Sequence, residues 1–190
     1  MSMSTTDSIP APTGLGATVV SSTQVDLAWT HTSNGETEFQ VERSTDGGAT
    51  WNPLATVGAN VTAYSDNTTT ADTDYAYRLR ACGVASCSSY SNTATATTPP
   101  TAPSGLGATA ISSSQIDLAW TDNSTTETTF EIERRPAGGT FAQIATVAAD
   151  VVAYNDTAGL VATTTYEYQI RACNAGGCSA YTAIASATTP

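Results

Sequence analysis

Apolar residues recur at every second position through much of this chain. In "QVDLAW", Val25, Leu27 and Trp29 fall on one face while Gln24, Asp26 and Ala28 fall on the other, the period of a half-buried strand. "FQVER" turns Phe39 and Val41 inward and Gln40 and Glu42 outward. "YAYRLRA" sets Tyr75, Tyr77, Leu79 and Ala81 on the core face and leaves Arg78 and Arg80 facing solvent. Clusters of Gly, Asn, Asp and Ser, such as "STDGGAT" and "SDNTTTADTD", separate these runs. No stretch sustains a helical period. Roughly seven short strands in ~90 residues predict an all-β fold of two packed sheets.

The pattern is written twice. "TGLGATVVSSTQVDLAWTHTSNGETEFQVERS" at 13–44 aligns with "SGLGATAISSSQIDLAWTDNSTTETTFEIERR" at 104–135, identical at 19 of 32 positions. The offset is 91 residues at Trp29/Trp120, falls to 90 at Tyr64/Tyr154 after a deletion in the glycine loop, and returns to 91 at Tyr75/Tyr166. A period this long is a whole domain rather than a solenoid repeat. The expected boundaries are residues 10–98 and 104–190, joined by a linker at 99–103. Pro99, Pro100 and Pro103 predict a short, semi-rigid joint. The final "TTP" repeats the letters that open this linker, which predicts a cut at a module boundary of a longer protein.

Each copy resembles a fibronectin type III domain over essentially its whole length. The resemblance is carried by the Trp in "DLAWT", by "FEIERR" and "VVAYND", and by "LVATTTYEYQIRA", which is similar to the family's Leu-x-Pro-x-Thr-x-Tyr run. It implies two tandem immunoglobulin-like, seven-stranded β-sandwiches. It also implies that Tyr75 and Tyr166 are tyrosine-corner residues, with hydroxyls bonded to backbone at the preceding bend. Ala162 stands where the family often has Pro, and "TTTAD" in the first copy lacks the Leu, so a looser first corner is expected. The idiom resembles bacterial modules of secreted multidomain enzymes and surface proteins.

Charge narrows the partners. The formal net charge is −11, with nine acids and three Arg in residues 1–98 and eight acids and three Arg in 99–190. All six basic residues are Arg, and Ser and Thr together number 55. An acidic chain without basic clusters repels phosphate backbones and anionic headgroups, which argues against nucleic acid and membrane surfaces. No apolar run is long enough to span a bilayer. "MSMSTTDSIPAP" lacks the basic and apolar regions of a signal peptide.

Candidate chemistry is sparse. Cys82 and Cys87, and again Cys173 and Cys178, flank four residues. Pooling them on zinc would require two modules to converge on one ion, and C-x4-C is too wide for a redox motif. A four-residue hairpin loop brings its flanks together, so one disulfide is expected across the F–G hairpin of each domain, with Cys82 on the outer face. Disulfides imply an oxidising, extracellular setting. His31 is the only histidine, and its counterpart is Asp122, so it reads as a polar surface residue rather than a catalyst. Glu42 with Arg80 and Glu133 with Arg171 are expected as cross-strand pairs. "SDNTTTADTD" and "TDNSTTET" offer clustered hard oxygens but no EF-hand pattern, and they read as turn formers. Trp51 and Phe141, after equivalent glycine loops, are the aromatics best placed to bind a glycan, with Tyr90 and Tyr181 beside them.

No catalytic residue, cofactor or metal ligand is assigned. The reading is a non-catalytic, secreted or cell-surface spacer and interaction module. It would position neighbouring modules of a longer chain, or engage an extracellular protein or polysaccharide. A self-assembling filament or adhesin subunit, and a carbohydrate-binding module of a secreted glycoside hydrolase, are the alternatives.

Overall fold

The computed structural model describes residues 9–190, so most of the N-terminal stretch tested above for a leader lies outside the described residues. The chain divides into two compact units between Thr98 and Pro99, which places the Pro-rich segment with the second unit.

The first unit holds β1 (Thr13–Ser21), β2 (Gln24–Thr30), β3 (Glu38–Ser44), β4 (Asn52–Gly58), β5 (Ala63–Asp66), β6 (Asp74–Cys82) and β7 (Ala94–Thr97). They form a three-stranded sheet, β1-β2-β5, and a four-stranded sheet, β4-β3-β6-β7. The second unit repeats this with β8 (Ser104–Ser112), β9 (Gln115–Thr121), β10 (Thr129–Pro136), β11 (Ala142–Ala148), β12 (Ala153–Asp156), β13 (Thr165–Asn174) and β15 (Ala185–Thr188). It adds β14 (Gly177–Cys178), a two-residue strand that pairs back onto β13. All pairings are antiparallel.

Alternation places the cores where the sequence predicts. Val25, Leu27 and Trp29 of β2 face Phe39 and Val41 of β3 and Tyr75, Tyr77, Leu79 and Ala81 of β6, all buried. Ile116, Leu118, Trp120, Phe130, Ile132, Tyr166, Tyr168, Ile170 and Ala172 repeat the arrangement. Each fully buried Leu, Ile, Val or Phe contributes about 1.5–3 kcal/mol by removal of apolar surface from water.

A buried carboxylate ties the two sheets together in each unit. Asp66 ends β5 in the three-stranded sheet, and Tyr64 and Asp66 share the inward phase of that strand. Its Oδ2 accepts from Arg43 Nη1 of β3 at 2.7 Å and from the Tyr77 hydroxyl of β6 at 3.0 Å, both in the opposite sheet. Its Oδ1 accepts from the backbone N–H and hydroxyl of Thr68. Asp156 repeats the tie, accepting from Arg134 at 2.7 Å and Tyr168 at 2.8 Å. A wholly buried charge is tolerable because its lone pairs are filled and a guanidinium balances it.

Both tyrosine corners are closed. The Tyr75 hydroxyl accepts from Thr70 N–H and the Tyr166 hydroxyl from Val161 N–H, each at 3.0 Å. The first corner is no looser, contrary to expectation. Thr69 stands at the position of Leu160, is buried, and donates its hydroxyl to the Ser22 carbonyl, so a polar anchor replaces the apolar one.

Burial alone would raise the Asp66 pKa, but hydrogen bonds from Thr68 and Arg43 hold it below the usual carboxylate range. On acidification the unfolded chain therefore takes up this proton first. The resulting stability is present above about pH 4 and is lost as pH falls through the depressed native value. Urea unfolding of the first unit between pH 7 and 2 should show a steeper acid loss in the parent chain than in Asp66→Asn. Equal slopes would contradict the assignment.

Candidate functional site

Strands β3 and β6 present their polar alternates on the outer face of the four-stranded sheet, where the candidate aromatics lie. Register sets Glu42 opposite Arg78 and Gln40 opposite Arg80. The ion pair is therefore Arg78–Glu42, at 2.7 Å, while Arg80 donates to Gln40 Oε1 at 2.9 and 3.1 Å. In the second unit Glu131 lies opposite Arg171, and they pair at 2.6 Å. The expected Glu42–Arg80 and Glu133–Arg171 pairs are each displaced by two residues, because antiparallel register pairs directly opposed side chains.

Trp51 and Phe141 are half-buried under guanidinium groups rather than free. Arg78 lies 4.3 Å from the Trp51 ring centroid and 3.8 Å from that of Tyr90. A side chain at Gly48 would come within 3.2 Å of Trp51 Cζ2, so the left-handed Gly48 (φ 92°) lets the loop close on the indole. Asp46 pins that loop by accepting from Ser44 and Thr50, and these hydrogen bonds lower its pKa to about 2. In the second unit Arg135 lies 4.2 Å from the Phe141 centroid and pairs with Glu167. The covering arginine comes from β6 in one copy and β10 in the other.

Tyr90 and Tyr181 close the far side of this face. Their hydroxyls donate to Glu42 Oε1 and Glu133 Oε1, each at 2.8 Å. Burial first, and the neighbouring carboxylate second, push the Tyr181 phenol up to about 12. An open groove of about 490 Å³ borders the face in the first unit, lined by Gln40, Glu42, Pro53, Leu54, Thr56 and Arg80.

All six arginines lie over aromatic rings, at 3.8 to 5.1 Å from the centroids. Five of them also pair with carboxylates. A planar guanidinium can stack and form two directed hydrogen bonds at once, which an ammonium cannot.

The hairpin after β6 is closed by Cys82–Cys87, and that after β13 by Cys173–Cys178, with Cα atoms 4.0 Å apart in each. Cys82 occupies the outward phase as expected but is buried, its carbonyl accepting from both the N–H and the hydroxyl of Thr37. The Glu131, Cys173 and Cys178 cluster offers no thiolate, because its sulfurs are bonded to each other. His31 is only 12% exposed, lying edge-on to Phe39 with Nδ1 3.5 Å from Glu36 Oε1; it is not the surface residue expected.

Residues 101–188 match the fibronectin type III domain family. The second unit is thus a fibronectin type III domain, and the first unit repeats its two-sheet fold. It is 36% identical over 154 residues to Exoglucanase B of Cellulomonas fimi, an alignment that covers 71% of this chain and 13% of that protein's length. Two solved structures share the fold. The two-domain fibronectin type III segment of chicken tenascin aligns over 95% of this chain and all of its own, with TM-score 0.55 and 17% identity. The FN1–FN3 domains of chicken CNTN1 align over 96% of this chain and 69% of theirs, with TM-score 0.50 and 17% identity.

Mass spectrometry of the non-reduced chain should give the fully reduced mass less four hydrogens, two per disulfide. Alkylation at any of the four cysteines before reduction would contradict this bonding.

Proposed function

We propose that this tandem is a non-catalytic, extracellular spacer that holds neighbouring modules of a longer chain at a set separation. The observation that carries the reading is the inward commitment of its chemistry. On the outer face of both domains, arginines, carboxylates and aromatics are spent on one another, through different residues in each copy. Closing each F–G loop of about six residues by a disulfide adds only ~2 kcal/mol in the chain-entropy treatment, so the staple chiefly stiffens a hairpin. Disulfides support an oxidising setting. The likeness to a short part of an exoglucanase supports a place among modules of a polysaccharide-degrading protein.

The spacer reading is separable from glycan binding and self-assembly in one preparation. Incubated with insoluble cellulose, the chain should remain in the supernatant, and light scattering should report a concentration-independent monomer. Retention on cellulose that Trp51→Ala abolishes would replace the spacer with a binding module. A mass that grows with concentration would replace it with an assembling subunit.

A further inference from the structure

The two copies differ sharply at one end of the sandwich. In the first, the loop between β2 and β3 carries His31 and Glu36, and Asn60 stands between β4 and β5. At the equivalent positions the second copy carries Asp122, Glu127 and Asp150. The scaffold is the same in both. Asn60 and Asp150 adopt left-handed backbone (φ 62° and 61°), and their N–H groups donate to Glu36 Oε1 and Glu127 Oε1, each at 3.4 Å.

The charge balance is not the same. In the first copy a neutral-or-cationic imidazole, not a carboxylate, stands beside Glu36, with His31 Nδ1 3.5 Å from Glu36 Oε1. In the second copy three carboxylates converge, with an oxygen from each lying within 4.8 Å of the others. Glu127 is 8% exposed, and its Oε2, like Glu36 Oε2 in the first copy, is buried without a hydrogen-bond partner among the described residues; what differs is its company, two carboxylates in place of an imidazole and an amide. The second unit contains no histidine, and its three arginines are paired elsewhere, Arg134 with Asp156, Arg135 with Glu167 and Arg171 with Glu131. A buried carboxylate oxygen without a donor is costly, and two further carboxylates beside it compound that cost.

We propose that Asp122, Glu127 and Asp150 bind a divalent, oxygen-preferring cation, calcium, and that this site exists only in the second domain. The donor set is all oxygen, which selects hard cations over zinc or copper. Ligand oxygens each about 2.4 Å from a calcium ion lie at most about 4.8 Å apart, so the spacing suits shared coordination. Half-buried Asp122 and exposed Asp150 leave a side open for water to complete the shell. The turn residues of "TDNSTTET" thereby acquire a second role.

Isothermal titration of the whole chain with calcium chloride, after chelator treatment, tests this. One ion per chain should bind, with a dissociation constant of about 10⁻⁴–10⁻³ M, the range of extracellular modules. The melting temperature should rise by several degrees in about 10 mM calcium. Asp150→Asn, an exposed position, should weaken binding at least tenfold without altering the circular dichroism spectrum. The double variant Asp122→His, Asp150→Asn, which installs the first copy's residues, should abolish binding. Absence of any heat or melting shift at that concentration overturns the proposal. So does a dissociation constant unchanged in folded Asp150→Asn, or retained in the double variant. Because the titration reports neither cellulose retention nor oligomeric state, its failure is distinct from failure of the spacer reading.

Discussion

One carboxylate per domain holds the sandwich closed. Asp66 and Asp156 sit at the ends of short strands in the three-stranded sheets, and each binds an arginine and a tyrosine of the opposite sheet. Apolar packing between the sheets is strong but non-directional; it does not by itself fix how one sheet lies over the other. A buried ion pair with a phenol on the same oxygen does fix it, since displacement strands a charge without water. The same arginines lie 5.1 Å over the rings of the corner tyrosines, so the tie extends to the bends that Tyr75 and Tyr166 close.

Much of this was legible in residue order. Alternation located the inward faces of β2, β3 and β6, because a sheet buried on one side leaves the period of two intact. The cysteine spacing and the hairpin between the strands pointed to local disulfides. The inter-sheet tie was missed, although its signal was present. Counting by twos from Phe39 through Val41 reaches Arg43, and from Tyr64 reaches Asp66, so an arginine and an acid stand in inward phase in both copies. The outer ion pairs were displaced by two residues because register is set by paired backbones, which composition does not reveal. The cluster of Asp122, Glu127 and Asp150 joins two loops separated in sequence, and only the fold brings Asp150 to the others.

The two copies share what the fold requires and differ in what each domain adds. The core, the tie and the corner recur position by position. The cover over the aromatic after the glycine loop recurs in kind but not in position, with Arg78 in one copy and Arg135 in the other. The loop end diverges outright, from an imidazole beside a carboxylate to three carboxylates together. Each arginine, inward or outward, faces a ring and a hydrogen-bond acceptor together, a pair of tasks that suits a guanidinium better than an ammonium.

A double-mutant cycle measures the coupling between the sheets. Asp66→Ala, Tyr77→Phe and the double variant, each unfolded in urea and followed through amide resonances of the first domain, isolate the contact across the interface. The expected coupling is about 1–3 kcal/mol, with the double variant less destabilised than the sum of the singles. Additivity within about 0.3 kcal/mol would mean that Asp66 and Tyr77 act independently, and would contradict a tie in which arginine and phenol share one carboxylate oxygen.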